Sequence, residues 1–128
     1  MEGLSPHGHG ARILIVDDNV ALAENVAEVL ELEGYRTAIA ASAEDALPLA
    51  LNDDLAVLVT DFRLPGMNGA ELVTRVRRAR SGIRCIVISA YTDDQTMDRA
   101  RDVGARFLAK PLSLTDLTQF IATVEGSA

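Results

Sequence analysis

Ile13-Leu14-Ile15-Val16-Asp17-Asp18 is the stretch that decides the fold. Four apolar residues run together without alternation and stop at two carboxylates. A strand with one face in water alternates apolar with polar, whereas a strand covered on both faces reads as a short unbroken apolar run. The same form recurs twice. Leu55-Ala56-Val57-Leu58-Val59 ends in Thr60-Asp61, and the run Ile83 to Ile88 ends in Ser89. Arg36 to Ala40 alternates and reads as an edge strand. Phe107-Leu108-Ala109 is a fifth strand, stopped by Pro111.

Helical spacing fills the gaps. Leu22, Val26, Val29 and Leu30 fall on one face, with Glu24, Glu28 and Glu31 opposite, and Gly34 closes that helix as a C-terminal cap. Ser42 caps a helix over 43–52 that carries Pro48, where a missing N–H predicts a weak or kinked helix. Residues 70–78 and 94–103 form two more. The last starts at Ser113, with Asp116 three residues on and a core stripe of Leu114, Leu117, Ile121 and Val124. Strand and helix thus alternate five times. That order predicts an α/β domain with a parallel sheet, right-handed crossovers and helices on both faces.

Composition agrees with one globular domain. The chain has 128 residues, 48% hydrophobic and 24% charged, which excludes a disordered or low-complexity protein. Apolar runs break well before the length of a membrane span. Cys85 is the single cysteine, so no intramolecular disulfide forms, and the absence of a secretory signal points to the cytoplasm. The net charge of −7 disfavours direct nucleic-acid binding. Residues 1–11 read as a flexible leader, in which His7 and His9 make too weak a pair for a metal site, and residues 12–126 as the folded domain. Five arginines, Arg75, Arg77, Arg78, Arg80 and Arg84, crowd one segment and read as a solvated helix face or a partner-docking patch.

In open parallel sheets ligands bind beyond the carboxyl ends of the strands. Here those ends carry Asp17, Asp18, Asp61, Ser89 and Lys110, the only lysine of the chain. Any one of these has an ordinary reading, such as a helix cap at Asp17-Asp18-Asn19. Together they are complementary. Three carboxylates at one edge repel each other until a divalent cation joins them, and hard oxygen ligands suit Mg²⁺. Lys110 and Ser89 add an ammonium and a hydroxyl, a set suited to a phosphoryl group on or beside a carboxylate.

The segments Ile13-Leu-Ile-Val-Asp-Asp-Asn19, Asp61-Phe-Arg-Leu-Pro-Gly-Met-Asn-Gly69, Ser89-Ala90 and Lys110-Pro111 resemble the receiver (response regulator) domain of two-component signalling, over 12–124. The resemblance implies a flavodoxin-like (βα)₅ doubly wound sheet in the order 2-1-3-4-5. It implies that Asp61 accepts a phosphoryl group and that Asp17, Asp18, Asp61 and the backbone carbonyl of Arg63 hold Mg²⁺. Lys110 and Ser89 would contact the phosphoryl group, with Ser89 and Phe107 as switch residues. Arg63 and Tyr91 stand where receivers border the phosphoryl group and tune its lifetime. The Lys110–Pro111 peptide is expected to be cis. The implied partner is a sensor histidine kinase or a histidine phosphotransfer protein. A homodimer could form through the fourth helix, fifth strand and fifth helix. The implied chemistry is self-phosphorylation with slow self-dephosphorylation, not turnover of a substrate. Two spacings depart from the family: six residues, not the seven of many members, separate Gly104 from Lys110, and the acidic pair stands one residue nearer Asp61 than in some members, a deletion expected in the loops around the Pro48 helix.

Two other classes compete. A haloacid dehalogenase-type enzyme also uses an Asp nucleophile with Mg²⁺ but needs a second Asp two residues on, where this chain has Arg63. A pseudo-receiver would be an interaction module that takes no phosphate, yet every acceptor-site residue is present here.

Overall fold

The computed structural model describes residues 12–51 and 54–126, with side chains through 123. The leader, with His7 and His9, Asn52 and the Val124 side chain lie outside the described residues. The strands are β1 (Arg12–Val16), β2 (Arg36–Ala40), β3 (Leu55–Asp61), β4 (Arg84–Ser89) and β5 (Arg106–Ala109). The helices are α1 (Val20–Leu32), α2 (Ala43–Ala50), α3 (Gly69–Ala79), α4 (Asp94–Asp102) and α5 (Leu114–Gly126). All pairings are parallel and the order is β2-β1-β3-β4-β5, the flavodoxin-like arrangement expected.

The unbroken apolar runs are explained by two cores. Successive strand side chains point to opposite faces. Ile13, Ile15, Val57, Val59, Ile86 and Ile88 pack with α1 and α5, where Leu117 and Ile121 are fully buried. Leu14, Val16, Leu58, Cys85 and Val87 pack with α2 and α3 and with Ala100 of α4. Each apolar residue of β1, β3 and β4 is therefore covered on its own side, and alternation has nothing to record there. β2 is an edge, as its alternation predicts.

Helix ends follow local chemistry. Asn19, Ser42, Asn68, Asp93 and Ser113 each accept a backbone N–H three residues on. Gly34, at φ +99, closes α1: its N–H donates to Glu31 and that of Tyr35 to Leu30. α2 is shorter than expected, ending at Ala50, and it contains Pro48. Pro48 withholds an N–H from the Glu44 carbonyl, and both residues are exposed, so water can serve that carbonyl.

The arginine-rich segment is only partly a solvated face. Arg75 and Arg78 are exposed, but Arg77 is half-buried and donates from Nη1 to the Ile83 carbonyl at 2.9 Å.

Candidate functional site

The register of the sheet assembles the site. β1 and β3 shift by one residue between Arg12 and Ile13, after which Val16 lies beside Thr60. Asp17 follows Val16 and Asp61 follows Thr60, so the shift brings the two carboxylates level. The ladder continues one bond past β1, where the Asp17 N–H donates to the Ala40 carbonyl at 3.1 Å. Asp61 pairs with Ile88, and Ser89 pairs with Ala109. Lys110 is fixed one residue beyond β5, its N–H donating to the Ser89 carbonyl at 2.9 Å. The Lys110–Pro111 peptide is cis, as the resemblance implies.

Asn19, and not the acidic pair, accepts from the α1 N-terminus through its side chain. Asp17 and Asp18 are therefore not consumed as the helix cap. Asp17 accepts from the Asn19 N–H at 2.9 Å. Ligand oxygens of Asp17, Asp18 and Asp61 lie within 4.8 Å of one another. Lys110 Nζ reaches Asp61 at 3.2 Å and Asp17 at 3.5 Å. One ammonium thus pairs with two of the three carboxylates.

The electrostatics follow from that imbalance. Burial pushes the Asp61 carboxyl above its usual value, Lys110 opposes this, and Asp17 reinforces it. The backbone N–H of Arg63 also donates to Asp61 and favours the charged form. Burial works against the Lys110 charge, but Asp61 and Asp17 outweigh it and the ammonium is held above its usual value. The donor set fits a hard divalent cation: three carboxylates within one ion's reach, with a single positive charge among them.

The remaining expected residues border this cluster. Ser89 is fully buried, and its Oγ accepts from the Tyr91 N–H at 2.9 Å. Tyr91 is half exposed, and the Arg63 guanidinium carbon stacks over its ring, 4.1 Å from the centroid. Phe107 is not at the carboxylates. It pairs with Val87 two residues before the level of Ser89, packs half-buried against the α2–α4 core, and lines a groove with Met97 and Arg101 of α4. Ser89 and Phe107 therefore project to the same side of the sheet.

Sequence reasoning passed over Gly69. A β-carbon there would lie 2.4 Å from the Asp61 carbonyl oxygen and 3.1 Å from the Phe62 Cα. Its own N–H donates to the Phe62 carbonyl at 2.7 Å. The available signal was a glycine directly after Asn68, at the first turn of a helix where no turn conformation calls for it.

A model of the response regulator receiver domain family matches residues 13–122. This chain belongs to the response regulator receiver family. The receiver is 43% identical over 104 residues to a response regulator receiver protein of Anaeromyxobacter sp. strain Fw109-5, covering 80% of this chain. It spans 44% of that relative's length. Among solved structures it resembles a CheY-like receiver domain protein from Methanospirillum hungatei JF-1. The TM-score is 0.86 at 32% identity, covering 91% of this chain and 94% of the other. It also resembles a response regulator from Burkholderia pseudomallei described with a phosphorylated aspartic acid, a calcium ion and citrate. That TM-score is 0.80 at 27% identity, covering 89% of this chain and 68% of the other. The family is that of the receiver domains of two-component response regulators. No helix among the described residues is long and apolar enough to cross a membrane.

Proposed function

We propose that this receiver takes a phosphoryl group from a phosphohistidine, on a sensor kinase or a histidine phosphotransfer protein, onto Asp61. The observation that carries the reading is the pair of contacts from Lys110 Nζ to Asp61 and Asp17 beside a three-carboxylate cluster. A carboxylate oxygen of Asp61 attacks phosphorus and forms an O–P bond. The N–P bond breaks, and its electron pair returns to the imidazole nitrogen. Lys110 offers its ammonium to the equatorial oxygens and Ser89 its hydroxyl, so the chain acts by positioning and charge. Asp17, Asp18, Asp61 and the Arg63 carbonyl are the proposed ligands of Mg²⁺, which would neutralise charge on the phosphoryl oxygens when bound. The calcium ion and phosphorylated aspartate of the Burkholderia protein support this reading.

The acyl phosphate adds nearly two negative charges and three acceptor oxygens at the sheet edge. Ser89 turns toward them, and Phe107, on the same side of the sheet, moves inward into the vacated space. That biases the α4–β5–α5 surface, which is the proposed output face and the proposed homodimer contact. Arg63 and Tyr91 border the acceptor as its tuning pair, and the Arg63 side chain restricts water there, which makes self-dephosphorylation slow. The reading places the domain in the cytoplasm, where its phosphodonors present their histidines, and assigns it no substrate turnover.

Intact-mass analysis after a small phosphodonor with Mg²⁺ tests the reading. One base-labile phosphoryl adduct is expected in the wild type and none in Asp61→Asn. An adduct retained at full stoichiometry in Asp61→Asn refutes the assignment.

A further inference from the structure

Tyr91 is held by two groups, and both sit beside Asp61. Its ring lies under the Arg63 guanidinium, and its N–H donates to Ser89 Oγ. Arg63 stands two residues after the acceptor at the same strand end, and its main chain favours the charged form of Asp61. Two residues past Tyr91, Asp93 caps α4, accepting from the Thr96 N–H at 3.2 Å and from its hydroxyl at 2.9 Å. The Thr96 bonds hold the Asp93 carboxyl below its usual value, and the Arg63 charge adds a lesser push in the same direction. A single guanidinium thus stacks on the ring of the segment that leads from β4 into α4 and favours the charge of its cap.

We propose that Arg63 is a positioning residue that latches the 91–93 segment in the unphosphorylated state, and that a phosphoryl group on Asp61 draws its guanidinium away and releases Tyr91. The proposal rests on Asp61 as the acceptor. The physical reason is competition for one cation. A guanidinium stacked on a half-exposed ring is held by a weak attraction. A phosphoryl group presents nearly two charges and oxygens suited to a bidentate guanidinium contact. Arg63 follows the acceptor by two residues, so its side chain leaves the chain at the same strand end. The Ser89 hydroxyl, the second anchor, is claimed by the same oxygens. Release of Tyr91 therefore loosens the chain at the α4 cap, a route to α4 separate from the inward movement of Phe107.

The test is NMR of the tyrosine ring resonances of the domain, with acetyl phosphate and Mg²⁺, alongside intact-mass analysis of the same samples. Tyr35, buried in the α1–α5 core, is the internal control. In the wild type, Tyr91 ring signals are expected to shift on phosphorylation while Tyr35 stays fixed, and amide exchange at 91–96 to speed up about tenfold. In unphosphorylated Arg63→Ala, Tyr91 is expected to sit already near its phosphorylated position, with little further shift. Arg63→Lys, which keeps the charge without the planar stack, is expected to lie between. An Asp61 adduct with unmoved Tyr91 signals overturns the latch and leaves the acceptor intact. Arg63→Ala with wild-type ring shifts in both states overturns it too. Absence of any Asp61 adduct overturns the acceptor and the latch together.

Discussion

Gly69 lies against the backbone of Asp61 so closely that a β-carbon on it would stand 2.4 Å from the Asp61 carbonyl oxygen. That oxygen already accepts the Thr60 hydroxyl at 2.9 Å, and the neighbouring Phe62 N–H is tied to Ile88 at 2.8 Å. The strand end cannot retreat without giving up these bonds. Gly69→Ala is therefore expected to destabilise the domain by about 1–3 kcal/mol, the range of forced overpacking. It should also slow phosphorylation of Asp61. Urea unfolding and adduct formation measured on one preparation check both; wild-type values in each would show that the backbone gives way freely.

Asp61 is costly to the resting fold. Its carboxyl is raised by burial and by Asp17 despite Lys110, so the folded state favours the protonated form. A raised carboxyl contributes stability below the ordinary value of 3.8, and loses that contribution as pH climbs through the raised one. Asp61→Asn stays neutral throughout. Without divalent ions, its Tm at pH 7 is expected to exceed that of the wild type by about 4 °C, as roughly 1 kcal/mol gives in a small domain. The gap should close toward pH 4. Calorimetry across that range decides, and an equal Tm at pH 7 would contradict the electrostatic account.

Lys110 works the other way at neutral pH, adding stability where Asp61 subtracts it. Its raised value means that the stability it brings persists below 10.5 and fades only as pH rises through the shifted value. Lys110→Gln should destabilise the domain at neutral pH, and much less in an Asp61→Asn background. A double-mutant cycle is expected to give a coupling of about 1–2 kcal/mol. Additivity within a few tenths would separate the two side chains energetically.

Divalent ions should stabilise the wild type through the three carboxylates. Mg²⁺ at ten times its Kd adds roughly 1.4 kcal/mol to unfolding, by mass action. Asp18→Ala should lose most of this response, because Asp18 is the exposed carboxylate and its removal leaves the core packing untouched. Thermal scans with and without Mg²⁺ measure it, and an undiminished response in Asp18→Ala would remove that residue from the ligand set.

Cys85 offers a reporter of global unfolding. Burial pushes its thiol up to about 11, while Arg77 works in the other direction. It is only 3% exposed, among Leu58, Val73 and Val87 in one core. Alkylation at pH 8 should be slower than that of a free thiol by the unfolding equilibrium constant, and should accelerate in step with urea. Fast labelling in native buffer would mean that this core opens locally.

Much of this domain is legible in one dimension because its signals are local. Ile13–Val16 declares a strand covered on both sides, Ser42 and Ser113 declare helix starts, and alternation along Arg36–Ala40 declares an edge. Each depends only on neighbours within a turn or a strand. Asp17, Asp61, Ser89 and Lys110 were legible for the same reason, since each ends its own strand. Pro48 was the local signal that argued for a weak or kinked helix, yet α2 forms across it from Ala43 to Ala50, two residues short of the expected end.

What the sequence could not contain is the distance between strand ends. The one-residue shift between β1 and β3 levels Asp17 with Asp61, and a regular ladder from Arg12 would have set Asp17 beside Thr60. The stack of Arg63 on Tyr91 likewise joins two separate loops, and the pressure of Gly69 on Asp61 joins the two ends of one. Side-chain period and capping act along the chain and are written in residue order. Register, close approach and the balance of charge between strands arise only when segments remote in sequence share one edge of a sheet, and those are the terms that set the chemistry at Asp61.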